Sequence, residues 1–306
     1  MINKLEFKAM GCHMLAALDL PEDRLAELEL VPGWFEVWEQ SLSRFRETSE
    51  LSQLNRSAGT PLQVSETLWD VLQESITSER LSFGLVTPAV LDALVVAGYD
   101  RSFDALPPTS AYLTPDQFAP VGLLSEVLLD EANRMVCLPP DLRLDFGGIA
   151  KGWAADQTTH KLAAFGPALV NAGGDIAISG PQSNGEAWPI GITDPFEPES
   201  NLEILMIEQG GVATSGRDYR RWQRDSLWQH HIIDPRTGMP AQTDVLTVTV
   251  IAPSAMEAEV AAKVALISGS RAGLDWLESN PTLAGMLVLE DGQRLYSQRV
   301  SEYLWS

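Results

Sequence analysis

The sequence predicts an α+β fold of mainly antiparallel, mixed sheets with flanking helices. Three observations point to it. Short apolar runs bounded by Gly, Pro or Asn recur along the chain, as in strands joined by tight turns. A few longer stretches carry apolar residues at helical spacing with start and stop residues at their ends. From about residue 121 onward the pattern is one of successive hairpins, and there is no internal repeat.

Taken in order, Leu5–Phe7 and Met14–Leu18 read as strands interrupted by Met10-Gly11-Cys12. Pro32-Gly33 opens a helix with Trp34, Val37, Trp38, Leu42 and Phe45 on one face. Residues Thr48 to Asn55 form a short polar segment with Leu51 and Leu54 turned inward. Ser65 fits the N-cap of a helix carrying Leu68, Trp69, Leu72 and Ile76. Pro88 starts another with Leu91, Leu94, Val95 and Ala97, stopped by Gly98. Residues 106–121 hold Pro107, Pro108, Pro115 and Pro120 and read as a loop or insertion. The chain reads as a single domain over 1–306, and a division into two lobes would fall near 106–121. Then come Val127–Leu129 and Met135–Leu138 around Asp130 to Asn133. Further strands are expected at Ala168–Asn171, Ile176–Ser179, Pro189–Thr193, Leu202–Glu208 and Val245–Ile251. A helix over Ala255–Ile267 precedes a terminal hairpin turning at Asp291-Gly292.

The chain has 306 residues, 45% of them hydrophobic, and a net charge of −21. That charge repels nucleic acid and anionic membrane surfaces. An anionic ligand would need locally concentrated positive groups or a metal ion. Cys12 and Cys137 are the only cysteines and lack metal-ligand spacing. No run approaches the roughly 18 apolar residues of a membrane span. The N-terminal residues lack the apolar core and small-residue cleavage site of a signal peptide. The expectation is a cytoplasmic protein, exported or membrane-anchored only if a leader was removed.

Four stretches could carry chemistry. In the first, an extended run Leu142–Phe146 meets Gly147-Gly148, and a helical pattern follows at once with Ile149, Trp153, Ala154, Thr158, Leu162 and Phe165. Paired glycines admit a ligand close to backbone N–H groups, a helix N-terminus favours negative charge, and Lys151 sits in the first turn. A tight packing turn would look the same. The second, Ala172-Gly173-Gly174-Asp175, is a turn between strands whose Asp175 is either functional or a surface turn residue. The third, Ala213-Thr214-Ser215-Gly216, offers hydroxyls on a flexible backbone and is equally an ordinary loop. The fourth runs from His230 to Gly238 and joins two of the four histidines to Asp234 and Arg236. A histidine of this pair can act as a general base near neutral pH, with an Asp within reach to orient it, and Asp234-Pro235 also suits a turn. Glu259 and Lys263, four residues apart on the last long helix, read as a surface ion pair.

With these four stretches in order, the chain resembles the ApbE family of flavin transferases. The residues that carry the resemblance are Leu144 to Gly152 with Ala155-Asp156, Asn171 to Asp175, Ala213 to Gly216 and His231 to Pro240. Supporting matches are Met10-Gly11, Ser49-Glu50-Leu51 through Asn55, and Trp188 to Pro195. The resemblance implies a fold related to the T-fold and a reaction in which FAD is cleaved with the help of Mg²⁺. FMN is then attached to a Ser or Thr hydroxyl of a protein acceptor, and AMP is released. It further implies that Gly147, Gly148 and Lys151 face the pyrophosphate of FAD, that Thr214 and Ser215 lie near its phosphates, and that Asp145, Asp175 and Gly216 also belong to the cofactor site. Met10, Ser49 and Asn55 would border its flavin or adenine. His231 and Asp234 would be catalytic, and the Ala150 carbonyl would help hold the metal.

Two positions depart from the family pattern. Where members carry an Asp and, four residues later, a Thr as metal ligands, this chain has Glu259 and Lys263. A protonated Lys263 cannot ligate Mg²⁺ and opposes its binding. Val86-Thr87-Pro88-Ala89 stands where Phe-Asp-Pro-Thr is usual. The expected function is FMN transfer to an unidentified protein. The alternatives are an FAD-binding protein with weak or no transfer, or an FAD pyrophosphatase giving FMN and AMP.

Overall fold

The computed structural model describes residues 1–20, 25–106, 109–110, 121–224 and 227–305. The chain divides into two compact units. The first comprises Met1–Phe35, Lys151–Asp218 and Thr243–Ser306, and the second Glu36–Ala150 and Tyr219–Gln242. The Pro-rich stretch 106–121 belongs to the second unit, and its residues 107–108 and 111–120 lie outside those described.

In chain order the elements begin with β1 (Ile2–Ala9), β2 (Cys12–Asp19), α1 (Leu25–Leu28), α2 (Val31–Leu42), α3 (Glu50–Arg56) and β3 (Leu62–Gln63). Next come α4 (Glu66–Leu81), α5 (Leu91–Ala97), β4 (Thr109–Ser110), β5 (Leu128–Asp130), β6 (Met135–Cys137) and α6 (Ala150–Leu162). They continue with β7 (Ala168–Ala172), β8 (Asp175–Ile178), β9 (Trp188–Thr193), β10 (Asn201–Ile207) and β11 (Gly210–Gly216). The short strands β12 (Arg221–Arg224), β13 (Leu227–His230), β14 (Ile233–Asp234) and β15 (Met239–Pro240) follow. Last are β16 (Val245–Ala252), α7 (Ala255–Ser268), α8 (Ser270–Ser279), β17 (Ala284–Leu289) and β18 (Arg294–Tyr296).

The first unit is built on an eight-stranded sheet in the order β1-β2-β7-β8-β11-β16-β17-β18, every neighbouring pair antiparallel. Because side chains alternate across a strand, each strand serves two layers. On one face Ile176, Ile178, Val212, Ile251, Met286 and Val288 join Trp188, Ile190, Ile192, Leu205 and Ile207 of the β9–β10 hairpin in one apolar core. The opposite face carries Asp175 and Ala177 of β8 and Gly211, Ala213 and Ser215 of β11, and α7 packs there against β11 and β16. Ala255, Ala258, Ala261, Ala262 and Ala265 are all buried in α7. Gly211 makes the approach possible, since a Cβ there would lie 2.2 Å from the Ala255 nitrogen.

In the second unit, Ala93, Leu94, Ala97 and Tyr99 pack with Trp222 and Ile233. The Trp222 Nε1–H donates to the Ala97 carbonyl at 3.0 Å, so the buried indole is satisfied. Ser49 and Ser65 cap α3 and α4, accepting from the N–H groups of Ser52 and Leu68.

The α+β class read from the sequence is the class of the structure, and most elements fall where expected. On α2 the buried residues are Val31, Phe35, Trp38 and Leu42, whereas Val37 and Phe45 of the expected stripe are exposed. Phe165, expected to continue the α6 stripe, is also exposed and lies past the helix end. The sequence reading misses α8, the β12–β13 hairpin and strand β11. The last, Gly-Gly-Val-Ala-Thr-Ser-Gly, has composition that disfavours a strand. It is nonetheless paired on both sides, with β8 and β16. Long-range pairing overrides its local propensity.

Candidate functional site

In the first unit the helix-bearing face of the sheet holds a buried cluster of four charged side chains. Lys151, in the first turn of α6, donates to the Asp175 carboxylate and, at 3.1 Å, to Oε1 of Glu259. Lys263, one turn along α7 from Glu259, donates to the same Oε1 at 3.0 Å and lies 3.4 Å from the Glu259 carbonyl. The other oxygen of Glu259 accepts the Gly152 N–H at 2.9 Å. The carboxyl side chains are 4% and 1% exposed and each ammonium 15%. Glu259 and Lys263 are therefore no surface pair. Nor is Asp175 a surface turn residue.

Lys151, Glu259 and Asp175 respond to burial and to their partners. Burial alone would lower the Lys151 pKa, but the charges of Asp175 and Glu259 outweigh it and hold it above its ordinary value. Burial would raise Glu259, but the ammoniums of Lys151 and Lys263 hold it below the usual carboxylate range. Asp175 is raised, first by burial and second by the Glu259 charge, with Lys151 only partly offsetting them.

The α6 N-terminus is satisfied from within. The anion it favours is supplied by Glu259, whose carboxylate takes the Gly152 N–H. Gly152 lets α7 come this close, because a Cβ there would sit 2.7 Å from the Met256 Cα and 2.8 Å from its nitrogen. Backbone atoms cannot move aside, so Gly152→Ala forces α6 and α7 apart. The expected cost is about 1–3 kcal/mol, read as a lower denaturation midpoint.

Asp156 of α6 reaches the N-terminus of α7, accepting from the Ala255 and Met256 N–H groups at 2.9 and 3.0 Å. Burial pushes its pKa from 3.8 up to about 6, against those two bonds. A carboxyl held more tightly protonated in the fold favours folding most below its ordinary pKa. That contribution is lost as pH rises through about 6. In Asp156→Asn this slope is absent, a difference of about 1–3 kcal/mol across the window, measurable by urea denaturation as a function of pH.

Thr214 and Ser215 are neighbours on β11 and so point to opposite faces. The Thr214 hydroxyl pairs with that of Thr249 at 2.8 Å, and Ser215 is buried. Gly216 ends the strand. Met10 lies in the β1–β2 turn with φ 48°, followed by Gly11 at 66°. Two successive positive values are the signature of a tight hairpin turn, and only glycine adopts them freely.

In the second unit, the run Leu142–Phe146 forms no strand. Asn55 holds it, donating to the Leu144 carbonyl at 2.9 Å and accepting the Leu144 N–H at 2.8 Å. Asp145 Oδ1 accepts the Gly147 N–H at 2.8 Å, and Oδ2 pairs with Arg44 Nε at 2.9 Å. The Gly147 N–H, expected to be open to a ligand, is thus spent on Asp145. Neither Gly147 nor Gly148 has positive φ. At Gly147 a Cβ would lie 3.1 Å from the Asp145 carboxylate, which is what favours glycine there. Ala150 opens α6, its N–H bonded to the Phe146 carbonyl at 2.8 Å. Ser49 is fully buried, its hydroxyl donating to the Ser43 carbonyl at 2.5 Å.

Arg44 is a residue the sequence reading misses. Its side chain is 5% exposed, and the guanidinium lies over the rings of Phe45 and Tyr99, 4.1 and 4.6 Å from their centroids. Its Nη2 is buried and makes no hydrogen bond among the described residues. Such an orphan costs about 1–3 kcal/mol unless a ligand oxygen takes it. Only the Arg beside Phe45 in Ser43-Arg44-Phe45-Arg46 could have flagged it.

The adjacent histidines have different roles. His230 Nδ1 accepts the Ile232 N–H at 3.3 Å, which leaves Nε2 to donate to the Ala241 carbonyl at 2.9 Å. With the Ala241 N–H bonded to the Ile232 carbonyl, these contacts clamp the segment. His231 follows, half-buried, after the end of β13. Asp234 accepts from the Arg236 backbone N–H at 3.0 Å, from Nε at 2.8 Å and from Nη2 at 2.7 Å. Its carboxylate organises the turn closed by Gly238, whose N–H bonds the Asp234 carbonyl at 2.9 Å.

The buried cluster of the first unit does not suit the Mg²⁺ that the sequence resemblance implies there. Mg²⁺ asks for octahedral oxygen donors with free lone pairs. Here both oxygens of Glu259 already accept hydrogen bonds, and Lys263 occupies the position of a ligand. Among the described residues no three His, Cys, Asp or Glu side chains are grouped to hold a metal. The described residues also include no helix long and apolar enough to cross a membrane.

The model of the ApbE family matches residues 10–287. A FAD:protein FMN transferase of Treponema pallidum is 31% identical over 284 residues, covering 87% of this chain and 78% of the relative. One from Vibrio cholerae is 33% identical over 265 residues, covering 84% and 78%. Among solved structures, the ApbE protein of Thermotoga maritima superposes with a TM-score of 0.88 at 26% identity, covering 100% of both chains. The flavin transferase ApbE of Vibrio cholerae gives 0.84 at 26% identity over 99% of each. The chain belongs to the ApbE family.

Proposed function

We propose that this protein transfers FMN from FAD to a Ser or Thr hydroxyl of a protein partner and releases AMP. The observation that carries the reading is the family match across residues 10–287, with relatives named for that reaction over most of the chain. In the step itself, the acceptor oxygen bonds to the phosphorus on the FMN side of the pyrophosphate. The bond from that phosphorus to the oxygen bridging to AMP breaks, and AMP leaves with the electron pair. The hydroxyl proton passes to His231, the base in this reading. Lys151 supplies positive charge for the anionic cofactor. The orphaned Arg44 Nη2 supports a ligand with oxygen acceptors. Because the buried cluster does not suit Mg²⁺, no step is assigned to a metal.

Incubation with FAD and a Ser/Thr peptide, followed by mass measurement of the peptide and chromatography of the flavins, tests the reading. A peptide heavier by one FMN supports transfer. Free FMN and AMP with an unmodified peptide indicate a pyrophosphatase, and unchanged FAD a binding protein; either overturns the proposal for the acceptor used. Acceptors of differing sequence around the hydroxyl establish which partner the protein takes.

A further inference from the structure

We infer that Lys263 is a built-in replacement for a divalent cation, so that this protein handles FAD without a metal. The inference rests on the proposed transferase function and concerns what neutralises the pyrophosphate.

The charge balance of the cluster is the first argument. Two carboxylates, Asp175 and Glu259, face two ammoniums, Lys151 and Lys263, so the site is neutral as it stands. Without FAD, adding a dication would leave two uncompensated positive charges in a largely buried place, so the cluster needs no resident ion. The donor count is the second. Oε1 of Glu259 accepts from both ammoniums and Oε2 accepts from the Gly152 backbone, while Asp175 is engaged by Lys151. Losing those bonds to a metal would strand both ammoniums beside it.

The ammoniums also have donors left to give. Each carries three N–H donors. Among the described residues, Lys151 spends two on carboxylate oxygens, and Lys263 spends two on the Glu259 side chain and carbonyl. One donor on each remains for a phosphate oxygen. Glu259 locks Lys263 in place from the same helix, so its charge is fixed before any ligand arrives and needs no ion from solution. As AMP leaves with its electron pair, the negative charge on its phosphate is met by these two ammoniums.

The test uses the full chain, Lys263→Thr and Lys263→Met, with Mn²⁺ followed by electron paramagnetic resonance and FAD binding followed by flavin fluorescence. In both variants Glu259 keeps Lys151 and the Gly152 N–H, and circular dichroism verifies folding. The wild-type protein is expected to leave Mn²⁺ free and to bind FAD in EDTA within about twofold of its affinity in Mg²⁺. Lys263→Thr should lose about tenfold or more in FAD affinity in EDTA, regain it with Mg²⁺, and bind Mn²⁺. Lys263→Met should lose affinity without metal rescue. Stoichiometric Mn²⁺ on the wild-type protein, or loss of its FAD binding in EDTA, overturns the inference. If FAD is bound under neither condition, the transferase reading fails. The Mn²⁺ measurements still decide the metal question: an ion on the wild-type protein refutes the substitution, and an ion only on Lys263→Thr supports it.

Discussion

Lys151→Met is expected to lower folding stability by about 3–5 kcal/mol, the usual cost of removing one partner from a buried ion pair. The substitution keeps the length of the side chain and removes its charge. Glu259 retains Lys263 and the Gly152 N–H, but Asp175, 3% exposed, loses the ammonium that pairs with it. Burial already raises the Asp175 pKa, and losing Lys151 raises it further. A carboxyl raised in the folded state favours folding at acid pH, and that contribution is lost as pH rises through the folded value. The gap between variant and wild type should therefore be smallest at acid pH and widen toward neutral. Lys151→Met combined with Asp175→Asn should recover part of the loss, because both charges are then gone. Denaturation midpoints of the three proteins at acid and neutral pH check this, and equal gaps at both would contradict the assignment. FAD affinity should fall in the single variant.

His231→Gln is expected to reduce FMN transfer by roughly 10²–10⁴-fold, the typical contribution of a general base, while folding stability and FAD affinity stay near wild type. The adjacent substitution sets the control. His230→Gln disturbs a ring whose two nitrogens both bond backbone groups, at Ile232 and Ala241. It should cost about 1–3 kcal/mol of stability, with transfer recovering at low temperature where the fold is retained. Measured transfer rates together with midpoints separate the two roles. If His230→Gln abolishes transfer in a fully folded protein and His231→Gln does not, the base has been assigned to the wrong ring.

Much of the fold was legible because local rules and tertiary contacts agree along most of the chain. Ser65 looks like an N-cap and is one, and Gly98 stops α5 in a left-handed conformation. Strand β9 shows strict alternation, with Trp188, Ile190 and Ile192 inward. Reading failed where the decisive contact is distant. Strand β11 has the composition of a loop and is held by β8 and β16. The stripe predicted for α2 was displaced because Trp34, Val37 and Phe45 carry no label of burial, and Phe35 does the packing instead.

The sequence by itself determined the α+β class, the four chemical stretches in their order and hence the family, because each is a local pattern of residue types. Only the tertiary structure decided what those residues do to one another. A Glu–Lys pair four residues apart reads as a surface bridge, since sequence spacing carries no information about depth. Folding α7 against β11 and α6 buries it beside Lys151 and Asp175, residues 108 and 84 positions from Glu259 in the chain. At that depth a second ammonium is largely shielded from water. Its charge must be answered within the protein or by a ligand.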